Sequence, residues 1–433
     1  MYVMEIKDVV RLLKSEMIPA MGCTEPAASA LAGAKARELI GDDRIKGIAV
    51  FASRDIVKNA MGVGIPDCER RGILTAVALG IAKGDSSKDL NILSDLTQEE
   101  VDKAASMSLT LSIEENVPQL YIRVEITGEK HSSKVVISGE HNRFSHIELD
   151  NKVLVDLPAG LAESKSTSEE TQALIQMSLE DIVGYSKAIP YSELAFISKD
   201  IDVNLAIARH SLVGEYGLQV GRTLMDNLDE HNIRTLDEAF RIGSCYAAAG
   251  SDARMSGCSM PVIINSGSGN QGLTVTLPIY WVGRYLRCSD ETIARAVCIS
   301  ELVGLVLTAR KDRLSALCGA FTAAIGTVCG YVFLLGGDIR QMDMAIRNMV
   351  ANLTGIICDG AKNTCALKIF SCLEAAAMSV KLAQKGHSPG KESGIVGSDS
   401  LESILHLTKI SSEGMEKTDK TILSIMLGQS GGE

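Results

Sequence analysis

The chain has 433 residues, of which 46% are hydrophobic, and its formal net charge at pH 7 is −11. This length and apolar content are sufficient for two or three domains with buried cores. The acidic balance argues against nucleic acid and against an anionic membrane surface as partners, because both require clustered Lys and Arg. We therefore expect a small-molecule ligand.

The cysteine content indicates a reducing compartment. The chain has eleven cysteines, an odd number, and residues 1–17 lack the pattern of a signal peptide. Disulfides are rare in the cytoplasm, so these cysteines are expected to remain thiols or to act as ligands. The sequence therefore predicts a cytoplasmic protein without disulfides. As to oligomeric state, a homodimer is one possibility that the sequence leaves undecided.

The elements predicted in chain order change character about a third of the way along. Helices are predicted over 4–17, 26–40, 72–82 and 98–111, with a strand over 45–51. From residue 119 to 155 apolar residues alternate with period two, which predicts a small antiparallel sheet. After a polar stretch, nearly everything to residue 425 has a helical pattern. We predict an α+β fold with an N-terminal α+β domain over 1–170, followed by a large, mostly helical domain over 171–433.

One uncharged segment, Leu314 to Gly337, is long enough to cross a bilayer. It contains several Ser, Thr, Cys and Gly residues, and no second comparable stretch accompanies it. An apolar surface on every face is equally typical of a helix buried in a core. We therefore predict a buried central helix, with a membrane span as the alternative.

Three cysteines in the helical half, Cys318, Cys358 and Cys365, suggest an iron–sulfur site. Four protein thiolates would close a cluster, whereas three leave one iron open to a substrate. A straight helix would separate Cys358 and Cys365 by roughly 10 Å along its axis, but the intervening Asp, Gly and Asn residues favour a tight loop instead. Spacing alone also fits three buried, structural cysteines.

A fourth cysteine, Cys23, precedes the helix predicted to begin near Pro26. Unpaired amides and the helix dipole favour an anion there, so this thiol should ionise easily. Cys23 is a candidate base or nucleophile, with Thr24 and Glu25 as hydrogen-bonding neighbours. The alternative is a small residue that fills the helix start, with Thr24 as a cap.

The glycine-rich segment 266–272 matches the pattern Gly-x-Gly-x-x-Gly. A dinucleotide site would require the loop to open a helix, and the following Leu273-Thr-Val-Thr-Leu-Pro278 is a poor helix start. We favour a turn whose amides and side chains, from Ser266, Ser268, Asn270 and Gln271, hold a small carboxylate. A purely structural turn is the alternative.

Two further segments carry charged or amide side chains beside turns. Lys58 and Asn59 offer a cation and an amide, whereas Asp252 and Arg254 form a charged pair just before the glycine-rich segment. In both segments a satisfied ion pair is the ordinary interpretation.

Taken together, these segments resemble the L-cysteine desulfidase family, which is related to the α-chain of iron–sulfur L-serine dehydratases. The similarity runs in order from about residue 15 to residue 430. Its motifs are Gly22-Cys-Thr-Glu-Pro26, Lys58-Asn59, Ser251-Asp-Ala-Arg254, Gly267-Ser-Gly-Asn-Gln-Gly272, Arg313-Leu-Ser-Ala-Leu-Cys318 and Ile357-Cys-Asp-Gly-Ala361.

This resemblance implies an oxygen-sensitive [4Fe-4S] cluster held by Cys318, Cys358 and Cys365, with Cys23 as the catalytic thiol. The implied reaction is β-elimination from L-cysteine, with Thr24, Lys58, Asn59 and the glycine-rich segment near the substrate. L-Serine dehydration is the alternative within enzymes. The family usually has Pro-Gly-Thr-Gly where this chain has Pro66-Asp-Cys-Glu-Arg-Arg-Gly72, so a cluster-binding protein without catalysis is a further alternative.

Overall fold

The computed structural model describes residues 4–22, 24–66, 68–157, 169–311 and 316–430. The first part of the chain alternates helices with strands. Its elements are α1 (Ile6–Glu16), β1 (Pro19–Met21), α2 (Thr24–Ile40), β2 (Ile45–Ala52), α3 (Arg54–Ala60), β3 (Gly64–Ile65), β4 (Cys68–Arg71), α4 (Ile73–Lys83), α5 (Gln98–Ala105), β5 (Thr110–Ile113), β6 (Tyr121–Gly128), β7 (Ser132–Ser138), β8 (Phe144–Leu149) and β9 (Lys152–Asp156).

The second part is almost entirely helical. Its elements are α6 (Glu169–Gln176), α7 (Leu179–Ala188), α8 (Tyr191–Leu194), α9 (Phe196–Val213), α10 (Val220–Leu224), α11 (Leu236–Met255), β10 (Pro261–Ile263), α12 (Gly269–Tyr285), α13 (Asp290–Lys311), α14 (Gly319–Leu334), α15 (Ile339–Leu353), α16 (Cys365–Gln384), α17 (Ser400–Lys409) and α18 (Glu416–Ser430). The predicted α+β class is confirmed.

The main sheet has six strands in the order β5-β2-β6-β7-β8-β9. The strands β6 to β9 form the antiparallel meander predicted from the period-two pattern. The helix predicted over 98–111 is wrong at its end, because α5 stops at Ala105 and β5 follows, pairing with β2 in parallel. Residues after Ala105 alternate in polarity, which suits a strand at the edge of a sheet.

Helix α2 covers β6 and β7, and α4 packs on α2. The two helices approach closely because small residues face each other. A Cβ at Gly80 would lie 1.9 Å from the carbonyl oxygen of Ala30, so only glycine permits this contact. The sheet and these helices share one hydrophobic core.

The helices from α6 onward build a second and larger core. Helix α1, at the start of the chain, packs into this helical core, whereas Leu423 of α18, at the other end, packs into the sheet core. A short antiparallel pairing of β1 with β10 also joins the two parts, with Met21 opposite Pro261. Segments that are far apart in the sequence, such as β1 and β10, therefore connect the part of the protein that contains the sheet with the helical part.

Within the uncharged segment, Gly319–Leu334 form α14, a 16-residue helix whose side chains are almost all buried. The predicted buried central helix is therefore confirmed. Within the described residues one helix, at Asp290–Arg310, is long and apolar enough for a membrane span, and 83% of its apolar window is buried inside the protein. Such burial is typical of a core helix.

The glycine-rich segment opens a helix, contrary to our prediction from residues 273–278. Helix α12 begins at Gly269 and includes Pro278. Its Thr and Val side chains are buried among neighbouring helices, and tertiary packing overrides their weak helix propensity. Among the residues that the structure describes, the preceding strand β10 pairs with β1 alone and in antiparallel orientation, which differs from the parallel sheet of a dinucleotide fold.

Candidate functional site

The segments that carry Cys318 and Cys358 are joined by an antiparallel bridge between Leu317 and Ile357. The amide of Cys318 donates to the carbonyl oxygen of Ile356 at 3.1 Å, and the amide of Cys358 donates to that of Ala316 at 2.6 Å. Two cysteines separated by 39 residues in the sequence are thus held side by side by the backbone.

The third cysteine, Cys365, returns to the same place through the tight loop predicted from the sequence. Gly360 has φ +93°, a conformation that favours glycine. Cys365 is the first residue of α16, and its Sγ lies 3.7 Å from the carbonyl oxygen of Gly360.

The three thiols influence one another electrostatically. The pKa of Cys318 is raised to about 12, mainly by burial and in smaller part by negative charge on Cys358 and Cys365. Lys368 lies beside them, paired with Asp359, and donates to the carbonyl oxygen of Ile357 at 3.0 Å. Burial lowers the pKa of Lys368, but its hydrogen bond with Asp359 and that residue's charge outweigh burial, and the net shift is upward. A fixed cation therefore faces the thiols.

We call Cys318, Cys358 and Cys365 the cysteine group. The glycine-rich segment contacts this group through Gln271. A Cβ at Gly319, the residue after Cys318, would lie 3.1 Å from Nε2 of Gln271. Thr308 donates to Oε1 of Gln271 at 3.3 Å and fixes its orientation. Asn270 donates to the Sδ atom of Met255 at 3.5 Å, and Met255 packs with Ala361 and Cys365.

The serines of the segment have other partners in this arrangement. Ser268 caps α12 by accepting from the amide of Gln271 at 3.4 Å. The hydroxyl of Ser266 donates to Oδ1 of Asn265 at 3.1 Å. Asn265 in turn donates to Oε2 of the fully buried Glu301 at 2.5 Å. These contacts hold the loop in shape.

The N-terminal part of the chain closes the other side of the cysteine group. A Cβ at Gly360 would lie 2.1 Å from the carbonyl oxygen of Lys58, and one at Gly62 would lie 3.2 Å from that of Ala361. Gly64 packs in the same way against the backbone of Ser256. The loop between Cys358 and Cys365 therefore packs between α3 on one side and the end of α11 on the other.

The side chains predicted near the substrate on this side form a short chain of hydrogen bonds. Thr24 donates to Oε2 of Glu25 at 3.4 Å, and Asn59 donates to Oε1 of Glu25, also at 3.4 Å. The amine of Lys58 is 1% exposed and is paired with Asp419, with Asp55 at 3.8 Å. Lys58 thus lies in a buried ion pair. Cys23, the predicted catalytic thiol, lies outside the described residues.

The ion pair expected within Ser251–Arg254 is wrong. Asp252 accepts instead from the amides of Leu218 at 3.3 Å and Gly221 at 3.2 Å. Arg254 donates from Nη2 to the carbonyl oxygen of Gly22 at 3.0 Å. The sequence signal that could have found Arg254 is its position in the last turn of a helix that ends just before the glycine-rich segment.

A family model described as serine dehydratase alpha chain matches residues 87–424. The chain belongs to this family. Full-length relatives, each described as UPF0597 protein, occur in Alkaliphilus oremlandii (38% identity, 99% of this chain and 100% of the relative), Oleidesulfovibrio alaskensis (39%, 97% and 97%) and Bacteroides thetaiotaomicron (39%, 99% and 99%).

Members of the serine dehydratase alpha-chain family are typically iron–sulfur related, and the donor set here fits such a group. Within the described residues, no three His, Cys, Asp or Glu side chains stand close enough to hold a single metal ion. A four-iron cluster is larger than a single ion, so the thiolates that bind it stand farther apart from one another than the ligands of one ion. Cys318 and Cys365 both stand at helix N-termini, where the dipole favours thiolate. Metal binding would release the proton that burial retains on Cys318.

Proposed function

We propose that this protein eliminates hydrogen sulfide from L-cysteine with the help of a [4Fe-4S] cluster held by Cys318, Cys358 and Cys365. The observation that carries the proposal is the meeting of these three thiols, from segments far apart in the chain, beside Gln271 and Lys368. Three thiolates leave one iron for the substrate, and when bound the cluster would supply Lewis acidity.

The residues of this chain would divide the remaining work. Cys23 precedes α2 in the sequence, where a helix start would favour its thiolate, and we propose that it removes the α-proton of L-cysteine. Asn270 and Gln271 are the best supported substrate contacts, because both lie against the segments of the cysteine group. Thr24 and Asn59 would act through Glu25. The side chains of Lys58, Ser266 and Ser268 are bonded to other residues of the protein. They would support the shape of the site without contacting the substrate.

The proposed reaction balances without an external oxidant. Removal of the α-proton and cleavage of the carbon–sulfur bond give hydrogen sulfide and aminoacrylate. Aminoacrylate tautomerises to an imine, and water converts the imine to pyruvate and ammonium. L-Cysteine and one water thus give pyruvate, ammonium and hydrogen sulfide, and pyridoxal phosphate is not required.

Dehydration of L-serine is the second candidate function. It is favoured by the description of the family whose model matches most of the chain. The same arrangement would serve either reaction, since elimination of water differs from that of hydrogen sulfide only in the leaving atom.

The test uses protein reconstituted with iron and sulfide under anaerobic conditions. Pyruvate and sulfide are measured separately with L-cysteine and with L-serine. We expect equimolar pyruvate and sulfide from L-cysteine at a higher kcat/KM than pyruvate from L-serine. A higher value with L-serine would favour the dehydratase, and a bound cluster that yields no pyruvate from either amino acid would favour a protein without catalysis.

Cys23→Ala is the decisive variant for the proposed base. It should keep the iron content and visible absorbance of the wild type and lose at least about a hundredfold in kcat, the range of general base catalysis. An unchanged rate would remove Cys23 from the mechanism.

The proposed compartment is the cytoplasm. None of the ten cysteines within the described residues is joined in a disulfide. In the cytoplasm, where disulfides are rare, an oxygen-sensitive cluster would also be best preserved.

A further inference from the structure

Arg254 is a buried cation without a carboxylate partner in the part of the chain that the structure describes. The residue is 5% exposed and lies in the last turn of α11. Its Nη2 donates to the carbonyl oxygen of Gly22, but its Nε is buried and has no hydrogen-bond partner among the described residues. A buried guanidinium that lacks an anion is costly.

The surroundings of Arg254 add positive potential. Gly269, the first residue of α12, packs directly on it, and a Cβ at Gly269 would lie 2.6 Å from Nε of Arg254. The N-terminus of a helix carries partial positive charge, so it repels a cation and attracts an anion. The negative C-terminal end of α11 offsets part of the charge of Arg254. The Nε of Arg254 nevertheless has no acceptor among the described residues, which suits an anion that comes from outside the protein.

The neighbouring residue Asn270 supplies a hydrogen-bond acceptor, whereas Arg254 supplies donors. Its Oδ1 atom is buried and has no donor among the described residues, while its Nδ2 is held by Met255, the residue after Arg254. An unsatisfied carbonyl oxygen accepts a hydrogen bond from an ammonium group. The site thus presents donors for an anion next to an acceptor for a cation.

We propose that Arg254 binds the α-carboxylate of an α-amino acid and that Oδ1 of Asn270 accepts from its α-ammonium group. This inference rests on the proposed function, because it assigns the ends of that substrate. Because Arg254 also donates to the carbonyl oxygen of Gly22, it would hold the carboxylate beside Gly22, which precedes Cys23 in the sequence. The side chain of the amino acid would then extend toward Gln271 and the cysteine group.

The test measures equilibrium binding rather than turnover. Holoprotein is titrated anaerobically with L-alanine, which has no leaving group, with propionate, which lacks the ammonium, and with ethylamine, which lacks the carboxylate. Dissociation constants are obtained from the rise in unfolding temperature with ligand concentration. The variants are Arg254→Met, Arg254→Lys and, as a matched control, Arg241→Met in the same helix, where Arg241 is paired with Glu374.

We expect Arg254→Met to weaken L-alanine and propionate about 10- to 100-fold, the range of a hydrogen bond to a charged group, and to leave ethylamine unchanged. Arg254→Lys should recover part of the loss, because it keeps the charge but not the two-pronged geometry. Arg241→Met should bind all three ligands like the wild type. If Arg254→Met fails to fold, the selective weakening of the two carboxylates in Arg254→Lys is the expected result.

Two outcomes would overturn the inference alone. Equal weakening of all three ligands would mean that Arg254 only holds the Gly22 segment, and unchanged L-alanine binding in both Arg254 variants would mean that the carboxylate binds elsewhere. Failure of the wild-type holoprotein to bind L-alanine, L-cysteine or L-serine would instead overturn both this inference and the proposed function.

Discussion

At the scale of single residues, the site depends on side chains whose protonation is set by burial. Cys318 and Glu301 are both buried, and burial raises the pKa of each, to about 12 and about 8 respectively. Their roles nevertheless differ. The proposed role of Cys318 requires that metal binding displace its proton, whereas Glu301 keeps its proton below about pH 8 and supports the glycine-rich segment through Asn265.

The proposed cluster ligands give the first prediction. Cys318→Ser, Cys358→Ser and Cys365→Ser should each lose iron, visible absorbance and activity together, measured on anaerobically reconstituted protein. Cys372→Ala is a demanding control, because Cys372 is buried near enough to Cys318 for the two thiols to interact. It should keep its iron at a packing cost of about 1 kcal/mol. Loss of iron only in the control would contradict the ligand assignment.

Glu301 gives a prediction about pH. Its pKa is raised to about 8, mainly by burial; the hydrogen bond from Asn265 opposes this rise, and the charges of Asp200 and Glu16 add to it. In the unfolded chain a glutamic acid ionises near pH 4.5. Between these values the folded state holds a proton that the unfolded state releases, so this contribution to stability is complete below pH 4.5 and is lost as pH rises toward 8.

Glu301→Gln should therefore gain stability relative to the wild type as pH rises from 5 to 8, by up to about 1 kcal/mol per pH unit. Denaturant unfolding at several pH values measures this difference. Glu392→Gln, on the exposed surface, should show a constant difference. A constant difference for Glu301→Gln as well would show that its carboxyl ionises normally.

At the scale of elements, most helices and strands follow from local pattern, and the exceptions have physical causes. The meander of β6 to β9 and the helix α14 were predictable because period and length are local properties. The end of α5 and the start of α12 were not. In both places, pairing or burial against distant residues outweighs the local preference of the chain.

The loop between Cys358 and Cys365 gives a prediction at this scale. Gly360→Ala combines a left-handed backbone with a Cβ 2.1 Å from the carbonyl oxygen of Lys58. Gly386→Ala is the matched control, because Gly386 has φ +77° but nothing within 4 Å of the new Cβ. The control should lose about 1 kcal/mol from backbone strain alone.

Gly360→Ala should lose more than the control, since the backbone of Lys58 must also move, and iron retention should fall with it. Denaturant unfolding and iron analysis measure the two effects. Equal losses of stability in the two variants would show that the contact with Lys58 is unimportant.

At the scale of the whole molecule, the candidate site lies where the sheet-bearing part meets the helical part. The last helix, α18, contributes to this meeting through Asp419, which pairs with the buried Lys58 of α3. Residues separated by most of the chain are thereby joined. We interpret this pair as a support of the site rather than as part of its chemistry.

Asp419→Asn should therefore destabilise the protein by about 1–3 kcal/mol, because Lys58 is left buried with only the more distant Asp55. KM for the amino acid should change little. Lys420→Met, which removes an exposed pair with Glu416 in the same helix, should cost under about 0.5 kcal/mol. A large rise in KM for Asp419→Asn with unchanged stability would instead indicate that Lys58 contacts the substrate.

The amino-acid sequence by itself determined the fold class, the buried central helix and the motifs that carry the resemblance, because periodicity, composition and motif order are written along the chain. Only the tertiary structure decided that three cysteine segments share one place, that Lys58 is paired with Asp419, and that Arg254 is not paired with Asp252. Those outcomes depend on contacts between residues far apart in the chain, and the free energy that selects such contacts comes from burial and close packing, which spacing in the sequence does not encode.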